Sequence, residues 1–194
     1  MRSSEIKRKT SETEIRVKVG LDGRGESRIC TPCGFLSHML EQLSRHSGID
    51  IEVTAEGDTR VDPHHTVEDT GAALGEAIAE ALGERRGIER YGWAMLAMDE
   101  ARCDTAVDLS GRGVLVYNVD FPVPWDRPED FDYSLIKEFL SAFTRTLRGA
   151  VHINLAYGEN NHHIAESVFK SLARSLGQAV SETGGEVPST KGSL

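Results

Sequence analysis

Apolar and polar residues alternate over residues 17–25 (VKVGLDGRG) and again over 105–113 (TAVDLSGRG). A period of two marks a strand with one buried face, and the glycines end each run in a turn. Residues 35–43 (FLSHMLEQL) and 135–143 (LIKEFLSAF) instead repeat apolar positions at spacings of three and four, which predicts amphipathic helices. Residues 46–53 (HSGIDIEV) and 148–155 (RGAVHINL) each predict a short strand. Residues 66–82 and 164–180 are long, Ala-rich amphipathic stretches, and each is opened by the same motif, HHxxE. The pairs are offset by 109 − 21 = 88, 135 − 35 = 100, 153 − 51 = 102 and 163 − 65 = 98 residues and never change order. Loop-sized insertions account for the drift. The pattern therefore predicts two copies of one unit of about ninety residues, divided as 1–94 and 95–194. Each copy reads strand, strand, helix, strand, helix. Burying such elements calls for sheets with helices on one face, an α+β fold. Residues 121–128 (FPVPWDRP) read as a loop inside the second copy.

A chain of 194 residues can bury a core without help from disulfides or metal. Its 22 basic against 31 acidic residues give a net charge of −9. That argues against a nucleic-acid coat and against a polybasic membrane surface, while leaving room for a small anionic substrate. No apolar run approaches the roughly 20 residues that span a bilayer, and the first residues lack the apolar segment of a secretory signal. A cytoplasmic protein is expected. Cys30 and Cys33 have CxxC spacing, but a structural zinc site would want a second such pair. Reduced thiols, Cys103 included, are the expected state.

The duplicated HHxxE carries the chemistry. On a helix His64 and Glu68 share a face at i and i+4, as do His162 and Glu166, while His65 and His163 point about 100° away toward a second site. Imidazole and carboxylate together suit Mn, Fe, Co, Ni or Zn. His38 lies 64 − 38 = 26 residues before the first motif, and Glu138 lies 162 − 138 = 24 residues before the second. The set His38, His64, His65, Glu68, Glu138, His162, His163 and Glu166 is too large for one ion and suits two.

These residues resemble the imidazoleglycerol-phosphate dehydratase family of histidine biosynthesis. The matching segments are GFLSHML (34–40), DPHHTVED (62–69), Asp99-Glu100, DLSGR (108–112), NHHIAE (161–166) and PSTKG (188–192). The resemblance implies a duplicated α+β fold, ribosomal protein S5 domain 2-like, with two Mn2+ per active site and a homo-oligomeric shell of 24 subunits. It implies that the eight residues above hold the metals and that Glu12, in RKTSET (8–13), is the acid–base residue. Gln42, Arg90, Arg112, Lys170, Ser189 and Lys191 are the implied substrate-binding residues, the basic ones for phosphate. The chain departs from the family pattern at Ser11, Ser37, Pro63 and Glu138.

The implied reaction removes the C3 hydroxyl and C2 hydrogen of imidazole glycerol phosphate. That hydrogen adjoins no carbonyl, so the ring must serve as electron source and sink. A metal-bound imidazolate could expel hydroxide, and loss of the C2 proton would then give an enol that ketonises to imidazole acetol phosphate. A carboxylate would move the proton and Arg or Lys would clamp the phosphate. A metal-dependent phosphoesterase is the enzyme alternative. A metal-storage shell would need no phosphate clamp, and the net charge disfavours a nucleic-acid binder.

Overall fold

The computed structural model describes residues 2–60, 62–124, 131–187 and 189. The first copy runs β1 (Ser3–Lys9), β2 (Thr13–Gly20), β3 (Ser27–Cys30), α1 (Gly34–Ser47), β4 (Asp50–Gly57) and α2 (His64–Leu82). The second runs β5 (Tyr91–Met98), β6 (Ala101–Asp108), β7 (Val114–Asn118), α3 (Leu135–Leu147), β8 (Ala150–Tyr157) and α4 (Asn161–Val180). Their sheets have the same order, β1-β2-β4-β3 and β5-β6-β8-β7, with only the last pair of each parallel. The fold is α+β and duplicated. Each copy holds one strand more than the hydrophobic pattern predicts. β3 and β7 are short edge strands without a fully buried face, so they leave little alternation to read. Residue 94 lies inside β5, and the elements of the copies are separated by residues 83–90. Of the loop expected at 121–128, residues 125–128 lie outside the described residues.

The buried faces follow from period two. Ile15, Val17 and Val19 of β2 and Ile51 and Val53 of β4 point inward at no more than 1% exposure, and lysine, arginine, glutamate and threonine fill the alternate positions. The helices lie between the sheets and pair across the copies, α1 on α4 and α2 on α3. Phe139, Phe143 and Phe169 fill the centre, with Phe139 and Phe169 ring centroids 5.6 Å apart.

Two glycines set the α2–α3 distance. A Cβ at Gly71 would collide with the Phe139 carbonyl oxygen, and one at Gly75 with that of Phe143. Both obstacles are backbone, so relief requires the helices to separate. Gly75→Ala is therefore expected to destabilise the fold by about 1–3 kcal/mol despite the better helix propensity of alanine. Thermal unfolding is the check, and an unchanged melting temperature would contradict the close approach.

The outer faces of the two sheets differ. That of the first is covered by charged pairs such as Arg16–Glu5 at 3.0 Å and Lys18–Glu52 at 3.5 Å. That of the second displays Tyr91, Trp93 (66% exposed), Met95 (68%), Val114 and Tyr157. Among the described residues, no helix is long and apolar enough to cross a membrane.

Candidate active site

Pairing of helices across the copies is what builds the site. His38 belongs to the first copy and the second HHxxE to the other, and the α1–α4 contact brings them together. On α1, four-residue steps place His38, Gln42 and His46 along one stripe. On α4 the same step places His162, Glu166 and Lys170 along another. His38 Nε2 and His162 Nε2 lie 3.1 and 2.9 Å from the same Glu166 oxygen, Oε1. Lys170 Nζ pairs with the other oxygen, Oε2.

Glu166 is 6% exposed. Burial alone would raise its pKa, but the bonds from Lys170, His38 and His162 together outweigh it and hold the carboxyl at about 2. The group is ionised at neutral pH. Two imidazoles and this carboxylate offer ligand atoms all within 4.8 Å of one another, a donor set able to hold a divalent ion. Farther along the groove the chemistry turns cationic. His46 Nε2 donates to Gln42 Oε1 at 2.9 Å, and the His46 pKa is pushed down by burial and by the charges of Lys170 and Arg174.

The start of α4 is fixed by Asn160, whose side chain accepts from His162 N at 2.8 Å and His163 N at 3.3 Å. Asp62 stands in the equivalent place before the first motif, two residues ahead of His64, and accepts from His64 N at 2.8 Å. Pro63 stands where the second copy has Asn161. Both motifs therefore begin in the first helical turn.

The first motif lies with the other helix pair. His64 Nε2 is 3.8 Å from Glu68 Oε2, and Glu68 Oε1 is 3.6 Å from Arg145 of α3. Glu138 opens toward a recess lined by Tyr117, Phe121, Tyr133, Lys137 and Asn161. Of the eight metal-type residues expected from sequence, the chain gathers His38, His162 and Glu166. Among the described residues, His64, His65, Glu68, Glu138 and His163 join no such cluster.

The expected anion-binding residues are spread out. Arg90 has φ +68°, a 2.7 Å bond to Asp108 and a position 4.7 Å over the Tyr91 ring. Arg112 is exposed in the glycine-flanked turn after β6. Ser189 donates its backbone N–H to Val187 O at 2.7 Å. Lys191 lies outside the described residues. Cys30, Cys33 and Cys103 are free thiols.

Two hairpin carboxylates reach the second histidine of each motif. Glu12, in the β1–β2 turn, has Oε2 3.6 Å from His65 Nδ1. Glu100, in the β5–β6 turn, has Oε2 2.6 Å from His163 Nδ1. The contact holds the Glu100 carboxyl at about 2, with help from the Asn160 N–H, and raises the pKa of His163. The 88-residue offset of the strands applies here as well, 100 − 12 = 88, and is a sequence signal from which Glu100, given no role by the sequence reading, could have been found.

A family model of imidazoleglycerol-phosphate dehydratases matches residues 31–176. The imidazoleglycerol-phosphate dehydratases of Agrobacterium fabrum and Sinorhizobium fredii are each 52% identical over 196 aligned residues, spanning the whole of this chain and 98% and 96% of theirs. The crystal structure of the Staphylococcus aureus enzyme superimposes with a TM-score of 0.83 at 32% identity, covering 93% of this chain and 99% of that one. The Pyrococcus furiosus enzyme, solved in complex with (S)-C348, gives 0.83 at 38% identity over 97% and 100%. The chain belongs to the imidazoleglycerol-phosphate dehydratase family, whose reaction converts imidazole glycerol phosphate to imidazole acetol phosphate and water.

Proposed function

We propose that the α1–α4 groove is where the dehydration takes place, with two Mn2+ ions per active site held by His38, His64, His65, Glu68, Glu138, His162, His163 and Glu166. The observation that carries this reading is the cluster of His38, His162 and Glu166 within 4.8 Å, with the Glu166 carboxylate ionised. Three protein donors leave open positions for substrate. The first HHxxE belongs to a different helix pair, so we assign it to the site of a neighbouring copy, within a homo-oligomer of 24 subunits. The ribosomal protein S5 domain 2-like description suits each β-β-β-α-β-α copy, and three free thiols suit a cytoplasmic setting.

When bound, the divalent ions supply Lewis acidity to the imidazole ring and favour its electron-rich form. The protein does the rest. Glu12 moves the C2 proton: its carboxylate is half exposed, 3.6 Å from His65 and beyond hydrogen-bond length, so it is free to approach a substrate. Lys170 lies one helical turn beyond Glu166 on α4, pairs with its Oε2, and supplies a positive charge for the phosphate. Gln42, Arg90, Arg112, Ser189 and Lys191 complete the anion site across the assembly. Fixing both ring and phosphate leaves C2 and C3 between them, presented to Glu12. Loss of water across C2–C3 gives an enol, which ketonises.

Incubating the Mn2+-loaded protein with imidazole glycerol phosphate tests the assignment. Ketone formation supports it, and release of inorganic phosphate would favour a phosphoesterase. Glu12→Gln keeps the size of the side chain and removes its basicity. Turnover is expected to fall by about 10²-fold or more, with bound metal unchanged. A normal turnover number would move the proton transfer to another group.

A further inference from the structure

The duplication gave the protein two equivalent hairpin carboxylates, and they are held in different ways. Glu12 sits in a three-residue turn whose bonds are made by Thr10, whose Oγ1 accepts from Glu12 N at 3.1 Å and Thr13 N at 3.0 Å. The Glu12 carboxylate itself has no hydrogen bond among the described residues; its nearest partner is His65 at 3.6 Å. Glu100 sits in a two-residue turn in which Asp99 takes φ +47°, a left-handed conformation that aspartate tolerates better than most residues. Its Oε1 accepts the backbone N–H groups of Glu159, at 3.2 Å, and Asn160, at 2.8 Å. Its Oε2 lies 2.6 Å from His163 Nδ1. The carboxylate thus joins the β5–β6 hairpin to the segment that caps α4, and every one of its bonds is directed.

We infer that Glu100 is a positioning residue for His163: it accepts a hydrogen bond from Nδ1–H, fixes the ring and leaves the Nε2 lone pair, which faces Asp99 Oδ2 at 3.5 Å, for a metal ion. The inference rests on the reading of His163 as a metal-binding residue. A neutral imidazole has one N–H and one lone pair, and a carboxylate can only accept. The 2.6 Å contact therefore puts the hydrogen on Nδ1. Carboxylate–histidine pairs of this kind orient metal-binding rings and strengthen them as donors. Glu12 lacks the anchoring bonds, so the equivalent carboxylate of the first copy keeps the mobility that proton transfer needs. The two copies of one turn have divided two tasks, holding a ring and moving a proton.

Glu100→Gln is the discriminating variant. Its amide oxygen can still accept from Glu159 N and Asn160 N, which leaves the NH2 group facing His163 Nδ1. That face must then be an acceptor, and the proton moves to Nε2, where it blocks metal. Nitrogen-15 NMR of the metal-free protein reads the tautomer directly. His163 is expected as the Nδ1–H form in the parent and as the Nε2–H form in Glu100→Gln. Competition with a chelator is expected to show Mn2+ bound about 10–100-fold more weakly by Glu100→Gln, with the melting temperature near that of the parent. Glu100→Ala also loses the bonds to the α4 cap and should melt lower. An Nε2–H tautomer in the parent, or parental Mn2+ affinity in Glu100→Gln, would overturn the inference. His163→Ala separates this from failure of the underlying assignment. If its Mn2+ affinity is also parental, His163 is no metal-binding residue and both readings fall. If it binds weakly while Glu100→Gln does not, only the positioning role is lost.

Discussion

Glu166→Gln is expected to abolish turnover and to lower bound Mn2+ by at least about 10²-fold in affinity, since a direct donor should matter more than the outer partners whose loss costs 10–100-fold. The geometry explains why this residue leads. Glu166 receives His38 and His162 on one oxygen and Lys170 on the other, so its charge organises both histidines and the nearest anion-binding lysine. Glutamine keeps the shape and removes the charge. The histidines then face a neutral group, one of whose positions is a competing donor, and Lys170 loses the partner that fixes it in the groove. His64→Ala and His163→Ala are expected to lose activity and metal as well, although neither residue belongs to the cluster within one chain. Metal content by elemental analysis, with turnover measured on the same samples, is the check. Full activity and normal metal in Glu166→Gln would remove the α1–α4 groove as the active site.

Three of the residues gathered in the candidate site, His38, His162 and Glu166, are legible in the sequence. The internal repeat gives the duplicated α+β plan, and HHxxE twice over marks four histidines and two glutamates as chemistry. A repeat also predicts equivalents, which is why His38 could be picked out from a helix with little else to recommend it. What the repeat cannot supply is which copies of the elements touch. Periodicity identifies a buried face and leaves its partner unnamed. The α1–α4 pairing that joins His38 to Glu166 depends on long-range contacts such as Gly177 against the Ser47 carbonyl, which no local pattern encodes. Glu138 shows the other side. It is the repeat equivalent of His38, yet it opens onto the recess beside Tyr133 and Asn161 instead of onto the first motif. β3 and β7 escaped because four or five residues on a sheet edge leave too few buried positions to set a period.

Removal of metal is expected to break the large assembly into smaller species such as trimers, and Mn2+ is expected to restore both size and activity. Within one chain the two HHxxE motifs belong to different helix pairs: one sits with His38 in the α1–α4 groove, the other against α3 beside Arg145. On the proposed assignment of eight metal-binding residues, completing either site draws on a second copy. An ion whose ligands come from two copies binds only where both are present, and by mass action it stabilises that contact. At a free concentration a thousandfold above its Kd, the contribution is about 4 kcal/mol per site. Summed over a shell, that decides whether subunits stay together. The apolar outer face of the second sheet sets a lower limit on dissociation. Tyr91, Trp93, Met95, Val114 and Tyr157 form an exposed surface unlike the ion-paired face of the first sheet, and such a surface is uncommon on a free monomer. Contacts made through it would need no metal, so chelation is expected to stop at a small oligomer. Sedimentation velocity with and without chelator, after elemental analysis has verified metal removal, is the test. An unchanged sedimentation coefficient would exclude metal-bridged assembly and would require both motifs to be completed inside a preformed shell. Dissociation to small oligomers, reversed by Mn2+ and accompanied by recovery of turnover, would place the shared ions at the contacts between them.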